Sequence, residues 1–134
     1  MEENTQTAIN QLVSIINGET LYVSADGSNT NVTLSKGVSS YAYIDIYYKC
    51  VAGGGTVNSS VRVYSPSGKK VILKNIMGLE NGNLLRVESA TVEITETKIT
   101  VNSTTYANIY TGTINEYGKS SNIYITRVIG HKEA

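Results

Sequence analysis

The chain has 134 residues, enough for one domain with a core of its own, and 11 basic side chains balance 11 acidic ones. That balance argues against a phosphate-driven nucleic-acid binder, which carries a basic excess or stripe. One Cys and one His rule out an intramolecular disulfide framework, a Cys-cluster zinc site and a multi-histidine metal site, and no apolar run approaches the roughly 18 residues of a membrane span.

The composition favours strands. Fifteen Thr, fourteen Ile, thirteen Val and ten Tyr are β-branched or aromatic and pack well on a pleated, half-buried surface. Fourteen Ser, thirteen Asn and twelve Gly supply turns. Every aromatic is a Tyr, whose ring packs like Phe while its hydroxyl needs a partner or water. The start, Met1-Glu2-Glu3-Asn4, is acidic and polar, unlike a secretory signal.

Only the N-terminus reads as helix. Between Thr5 and Asn17, Ile9, Leu12 and Ile16 are spaced three then four, an a–d–a seam, and Gly18 is a suitable stop. A helix of about twelve residues is not stable alone. It either caps its own β domain or is the end of a parallel coiled coil. Residues 1–18 are therefore expected to be a helical stub with Ile9, Leu12 and Ile16 as oligomer interface, and 19–134 a β-sandwich head.

The rest reads as strands and turns. Thr20–Ala25 is closed by Asp26-Gly27-Ser28-Asn29, whose resemblance to a calcium loop ends where the later carboxylates should be. Asn31–Leu34 follows, then Tyr41–Val51, the Gly53-Gly54-Gly55 turn, and Ser60–Tyr64. Pro66-Ser67-Gly68 turns the chain into Lys70–Ile76, and Asn81-Gly82 is a strong turn signal before Leu84–Glu88. Val92-Glu93-Ile94 and Ile99-Thr100-Val101 form a hairpin around Glu96-Thr97, and Tyr106–Ile114 and Ile123–Ile129 complete the set. Short strands at spacings of about 8–15 residues predict an all-β fold, an antiparallel β-sandwich of jelly-roll-like character.

Alternation along Tyr41–Val51 puts Ala42, Ile44, Ile46, Tyr48 and Cys50 on the core face. Tyr41, Tyr43, Asp45, Tyr47 and Lys49 fall on the other, with rings about 7 Å apart. Such a ladder can pack under a neighbouring subunit, lie under a loop, or stack on sugar rings. Tyr43, Asp45 and Tyr47 are the first ligand-site candidates: the rings supply stacking faces and the carboxylate accepts from sugar hydroxyls. Tyr106 and Tyr110 share one face of their strand and form a second candidate patch.

No catalytic residues are expected. The acids, among them Asp26, Glu80, Glu93, Glu96 and Glu116, are scattered, whereas glycoside hydrolysis needs two carboxyls about 5–9 Å apart. The one His, His131, lies near the chain end, and Cys50 falls on the core face as a small buried hydrophobe. No glycine pattern leads from a strand into a helix as a phosphate cradle would. No cofactor and no metal are expected, and the free thiol points to assembly in a reducing compartment.

The stretch Tyr41-Ala-Tyr-Ile-Asp-Ile-Tyr-Tyr-Lys49 resembles strand motifs in C-terminal modules of tailed-phage tail and baseplate proteins, including prophages of gut bacteria. So do Ser60-Val-Arg-Val-Tyr-Ser-Pro-Ser-Gly-Lys69 and Ile123-Tyr-Ile-Thr-Arg-Val-Ile-Gly-His-Lys132. The thread runs from about Thr20 to Lys132, and departs from the family where His131 stands in place of a frequent aromatic. The resemblance implies a homotrimer with a helical shoulder and a β-rich head. It implies that the head recognises a host-surface glycan or protein alongside other tail proteins, in a virion tail assembled in the host cytoplasm; the charge balance and the lack of a long apolar run add the expectation of no nucleic-acid partner and no membrane insertion. Two alternatives stand beside it: a structural trimerisation or capping domain without a ligand, and a bacterial carbohydrate-binding or adhesin module.

Overall fold

The computed structural model describes the backbone of residues 2–52, 55–78, 84–110 and 113–132, and the side chains of 4–13, 18–52, 55–78, 85–109 and 117–132. Helix α1 (Glu2–Asn17) leads into β1 (Glu19–Ser28), β2 (Val32–Thr33) and a 3-10 turn at Val38–Ser40. Then follow β3 (Tyr43–Ala52), β4 (Gly55–Tyr64), β5 (Lys70–Gly78), β6 (Leu84–Ile94), β7 (Lys98–Tyr110), β8 (Thr113–Lys119) and β9 (Ile123–His131). The helix stops where Gly18 takes φ +77°, a left-handed cap that an L side chain resists.

The strands form two antiparallel sheets, β1-β9-β3-β4 (sheet A) and β2-β7-β6-β5 with β8 also on β7 (sheet B). The fold is an all-β antiparallel sandwich with a short N-terminal helix. Pairing of the first strand with the last, beside β3, is its jelly-roll-like feature; β3–β4 is a hairpin and β5–β6–β7 a meander.

Period-two alternation fills the space between the sheets. Ile44, Ile46, Tyr48 and Cys50 of β3 and Ile123, Ile125 and Val128 of β9 face Leu73 of β5, Ala90, Val92 and Ile94 of β6 and Ile99 of β7, all buried. Two polar side chains tie the sheets along the β4–β5 side. The Tyr48 hydroxyl donates to the Lys74 carbonyl at 2.7 Å and accepts from the Lys74 N–H at 3.1 Å, satisfying backbone groups on the open edge of β5. The Asn75 amide donates to the Val57 carbonyl at 3.2 Å and the Ser59 hydroxyl at 3.3 Å.

Several sequence expectations are corrected. The Asp26-Gly27 signal does not end β1. It is absorbed as a bulge, with Val23 opposite Arg127 but Ser28 opposite Ile125, and Gly27 at φ +78°. Leu84–Glu88 and Val92–Ile94 are one strand, β6, while Tyr106–Ile114 is divided between β7 and β8. Tyr41 does not join the outer ladder. The strand starts at Tyr43, and the Tyr41 ring is buried against Gly130, where a Cβ would come within 2.7 Å of it. Its hydroxyl donates to Glu19 at 2.8 Å, and burial followed by that carboxylate raises the phenol's pKa well above its ordinary value. The hairpin around Glu96-Thr97 forms as expected, closed by the Thr95 N–H to the Lys98 carbonyl at 2.8 Å. The Gly53-Gly54 and Asn81-Gly82 turn signals lie outside the described residues.

Candidate functional site

Sheet register sets the outer face of sheet A. Directly paired residues lie on one face, so β9, β3 and β4 present three rows: His131, Tyr43 and Tyr64; Ile129, Asp45 and Arg62; Arg127, Tyr47 and Ser60. Tyr43, Asp45 and Tyr47 do stand together on this face.

Their neighbours decide what they can do. Arg62 grips Asp45 with two bonds, Nε to Oδ1 at 2.9 Å and Nη2 to Oδ2 at 3.1 Å, and His131 Nε2 lies 3.3 Å from Oδ2. The hydrogen bonds to Asp45 raise the guanidinium's pKa further, so it stays charged. Tyr43 stacks on His131 with centroids 4.7 Å apart and planes 18° apart, lies 5.2 Å from Tyr64, and has the Arg62 guanidinium 4.3 Å from its centroid. Asp45 is buried with both oxygens engaged. The Tyr43–Asp45 end of the ladder is thus filled by its own chain.

The Tyr47 end is open. A groove of about 420 Å³ runs beside Tyr47 and is bounded by Val23 and Ser24 of β1, Lys49 of β3, Asn58 of β4 and Arg127 of β9. Two bulges make it. In β9 one extra residue, Thr126, falls between the partners of Tyr47 and Tyr48, and its hydroxyl donates to the Tyr47 carbonyl at 3.2 Å. In β1 the bulge after Val23 raises Ser24 and Ala25 into a wall, held by the Gly27 N–H to the Ser24 hydroxyl at 3.1 Å. Gly27 is needed there both for its positive φ and because a Cβ would come within 2.8 Å of Tyr124 Cβ. The Arg127 guanidinium lies 4.4 Å from the Tyr47 centroid, and Lys49 Nζ 5.9 Å from that of Tyr124.

The second candidate patch is elsewhere. Tyr106 pairs with Glu88 on β6, so its side chain shares the inner face of sheet B, and the Arg86 guanidinium lies 4.1 Å from its ring centroid. The side chain of Tyr110 lies outside the described residues. Beside Tyr106 is a buried polar cluster. Glu88, 1% exposed, accepts from Arg86 Nε at 2.9 Å, Asn122 Nδ2 at 2.9 Å and the Cys50 thiol at 2.7 Å. Burial and then Glu88 push the Cys50 thiol up to about 12, so it stays protonated and is a poor nucleophile. Cys50 is in the core as expected, but as a hydrogen-bond donor rather than an apolar filler.

Of the interface candidates, Ile9 is 48% and Leu12 57% exposed, with Val13 beside them; the side chain of Ile16 is not described. The helix thus does not bury Ile9 and Leu12 on its own β layers. A second apolar surface covers part of the outer face of sheet B, where Ile72, Ile76, Leu85 and Tyr117 are 58%, 65%, 49% and 80% exposed. Register brings Val87 and Ala107 between Ile76 and Tyr117.

Three features escape the sequence reading: Arg127, the Arg86–Glu88 cluster and the sheet B patch. Each had a signal. Strict alternation along Ile123–Ile129 puts Arg127 on the core face, so its charge there implies the bulge. Arg86 and Glu88 alternate with Ala90 in the same way. Ile72 and Ile76 fall on the face opposite the buried Leu73 and Met77, alternating there with Lys70 and Lys74, so two isoleucines are placed on an exposed strand face.

No protein-family model matches the chain, and no curated protein matches it.

Proposed function

We propose that this chain is a non-enzymatic host-surface binding head of a tailed-phage tail fibre or baseplate protein, working as a homotrimer. One observation carries the reading: large apolar side chains stand exposed on sheet B, and a groove with two cations opens on sheet A. Sheet B exposes Ile72, Ile76, Leu85 and Tyr117, apolar side chains set around Lys74 and suited to contact with sister chains. Sheet A holds a groove where the Tyr47 ring, Arg127 and Lys49 stand beside hydroxyl and amide side chains, suited to a hydroxyl-rich ligand with an apolar ring face. Helix α1 adds a second surface for self-association through Ile9, Leu12 and Val13. Three copies with sheet B inward present three sheet A grooves outward, so weak single sites give firm attachment.

The test is adsorption of the purified chain to a panel of gut-bacterial cells. Binding by the unaltered protein, lost in Tyr47→Ala at unchanged oligomeric state, supports the reading. Failure to bind any strain in the panel, or undiminished binding by the variant, counts against it. The structural alternative draws on the filled Tyr43–Asp45 end of the ladder, whose side chains already have partners. It expects Tyr43→Ala with Tyr47→Ala to dissociate the oligomer.

A further inference from the structure

The groove beside Tyr47 has an uneven charge. Its lining includes two cations, Arg127 and Lys49, and no carboxylate. Among the described residues neither cation makes an ion pair. Arg127 is exposed and rests on the Tyr47 ring, while Lys49 donates to the Ala25 carbonyl at 3.2 Å and lies near Tyr124. The contrast with the same face two residues along is sharp. There Arg62 is matched by Asp45, and at the β1 end Lys36 is matched by Glu19 at 2.8 Å. In a chain of zero formal net charge, the lining of this groove carries two cations and no carboxylate.

The rest of the lining is chemically specific. Ser24, Asn58 and Thr126 bring hydroxyl and amide groups, and Val23, 68% exposed, brings an apolar contact. Stacking on Tyr47 fixes the plane of the Arg127 guanidinium and limits the entropy lost when its N–H fork engages a ligand. A planar fork suits a carboxylate, whereas Lys49 serves as a point charge. The volume of about 420 Å³ lies within the about 300–1,000 Å³ usual for small-molecule sites.

We propose that the groove beside Tyr47 is a binding site for a carboxylate-bearing sugar. Arg127 takes the carboxylate, Lys49 adds positive charge, and Ser24 and Asn58 take ring hydroxyls. The two strand bulges exist in this account to open the sheet face and turn Arg127 outward. The inference rests on the surface-recognition reading above and specifies its ligand class.

The experiment is an amide-shift NMR titration of the intact chain with D-glucuronate and N-acetylneuraminate, their methyl esters, and glucose 1-phosphate. Expected is a saturable shift of Tyr47, Lys49 and Arg127 with at least one of the two acids. Its methyl ester should bind about tenfold more weakly or worse, the factor set by one charge-assisted contact. Arg127→Ala should remove the response, and Asn58→Asp, which adds a negative charge to an exposed wall position, should weaken it in proportion to the lost attraction. The affinity should also fall as salt is raised. An ester that binds as well as its acid, or unchanged binding by Arg127→Ala, overturns the proposal. So does the absence of a saturable shift with both acids. Tighter binding of glucose 1-phosphate overturns it in favour of a phosphate site. If the sugars fail while cell adsorption still depends on Tyr47, the ligand class is wrong and surface recognition stands. If cell adsorption fails as well, both fall.

Discussion

Glu88 gathers three hydrogen bonds in the interior, and Glu88→Ala removes them together. The carboxylate is 1% exposed and receives Arg86, Asn122 and the Cys50 thiol, all within 2.9 Å. Its removal leaves the Arg86 guanidinium, 15% exposed, without a counter-charge. Breaking a buried pair in this way typically destabilises by about 3–5 kcal/mol, because the surviving charge stays desolvated. At about 2.1 cal/mol/K per residue, 134 residues give an unfolding entropy near 0.28 kcal/mol/K, so the midpoint should fall by about 10–18 °C. The assays are thermal unfolding for the midpoint and urea unfolding for the free energy, both at fixed protein concentration, since association would add to apparent stability. The double change Arg86→Leu with Glu88→Leu removes both charges and keeps apolar volume. It should regain most of the loss, ending within about 2 kcal/mol of the unaltered chain. A loss under about 1 kcal/mol for Glu88→Ala, or a double variant no more stable than the single one, would refute this account of the cluster.

Two further outcomes follow from the same interior. Tyr48→Phe keeps the ring but strands both backbone groups of Lys74, and should lower stability by about 1–3 kcal/mol in the same unfolding assay; no measurable change would show that water replaces the hydroxyl. The Cys50 thiol is raised from 9.0 to about 12, so above pH 9 the unfolded chain loses a proton that the folded chain keeps. Stability should therefore decline as pH rises from about 9, by at most about 1.4 kcal/mol per unit, until the folded thiol itself titrates. Tyr41, also raised, acts in the same direction. Cys50→Ala should make the decline shallower in urea unfolding between about pH 8.5 and 10.5, and an unchanged slope would contradict the assignment.

The sequence made the fold class legible because long alternating runs have few solutions. Tyr43–Val51 could place Ile44, Ile46, Tyr48 and Cys50 inward with no knowledge of a partner strand. What it hid were irregularities that alternation cannot express. A bulge at Thr126 shifts the inward set of β9 from Arg127 to Val128, and this shift decides whether the candidate site has its arginine. The Asp26-Gly27 pair carries the same local signal whether it ends a strand or bulges within one; only pairing of β1 with β9 distinguishes the two. Tyr41 departs from the alternation because the strand begins only at Tyr43. The Cys50–Glu88 contact joins residues 38 apart in different sheets, a distance no local pattern spans. The candidate site was half legible. Tyr43, Asp45 and Tyr47 do share a face, but the occupation of Asp45 by Arg62 and His131, and so the closure of that end, depends on three strands meeting in register.

In the proposed homotrimer, sister chains cover the exposed apolar side chains of α1 and sheet B. Native mass spectrometry of the intact chain at micromolar concentration tests it most directly. The account predicts a particle of three chains that comes apart when Ile72 and Ile76 are both changed to Asp. A monomer throughout that range would contradict it.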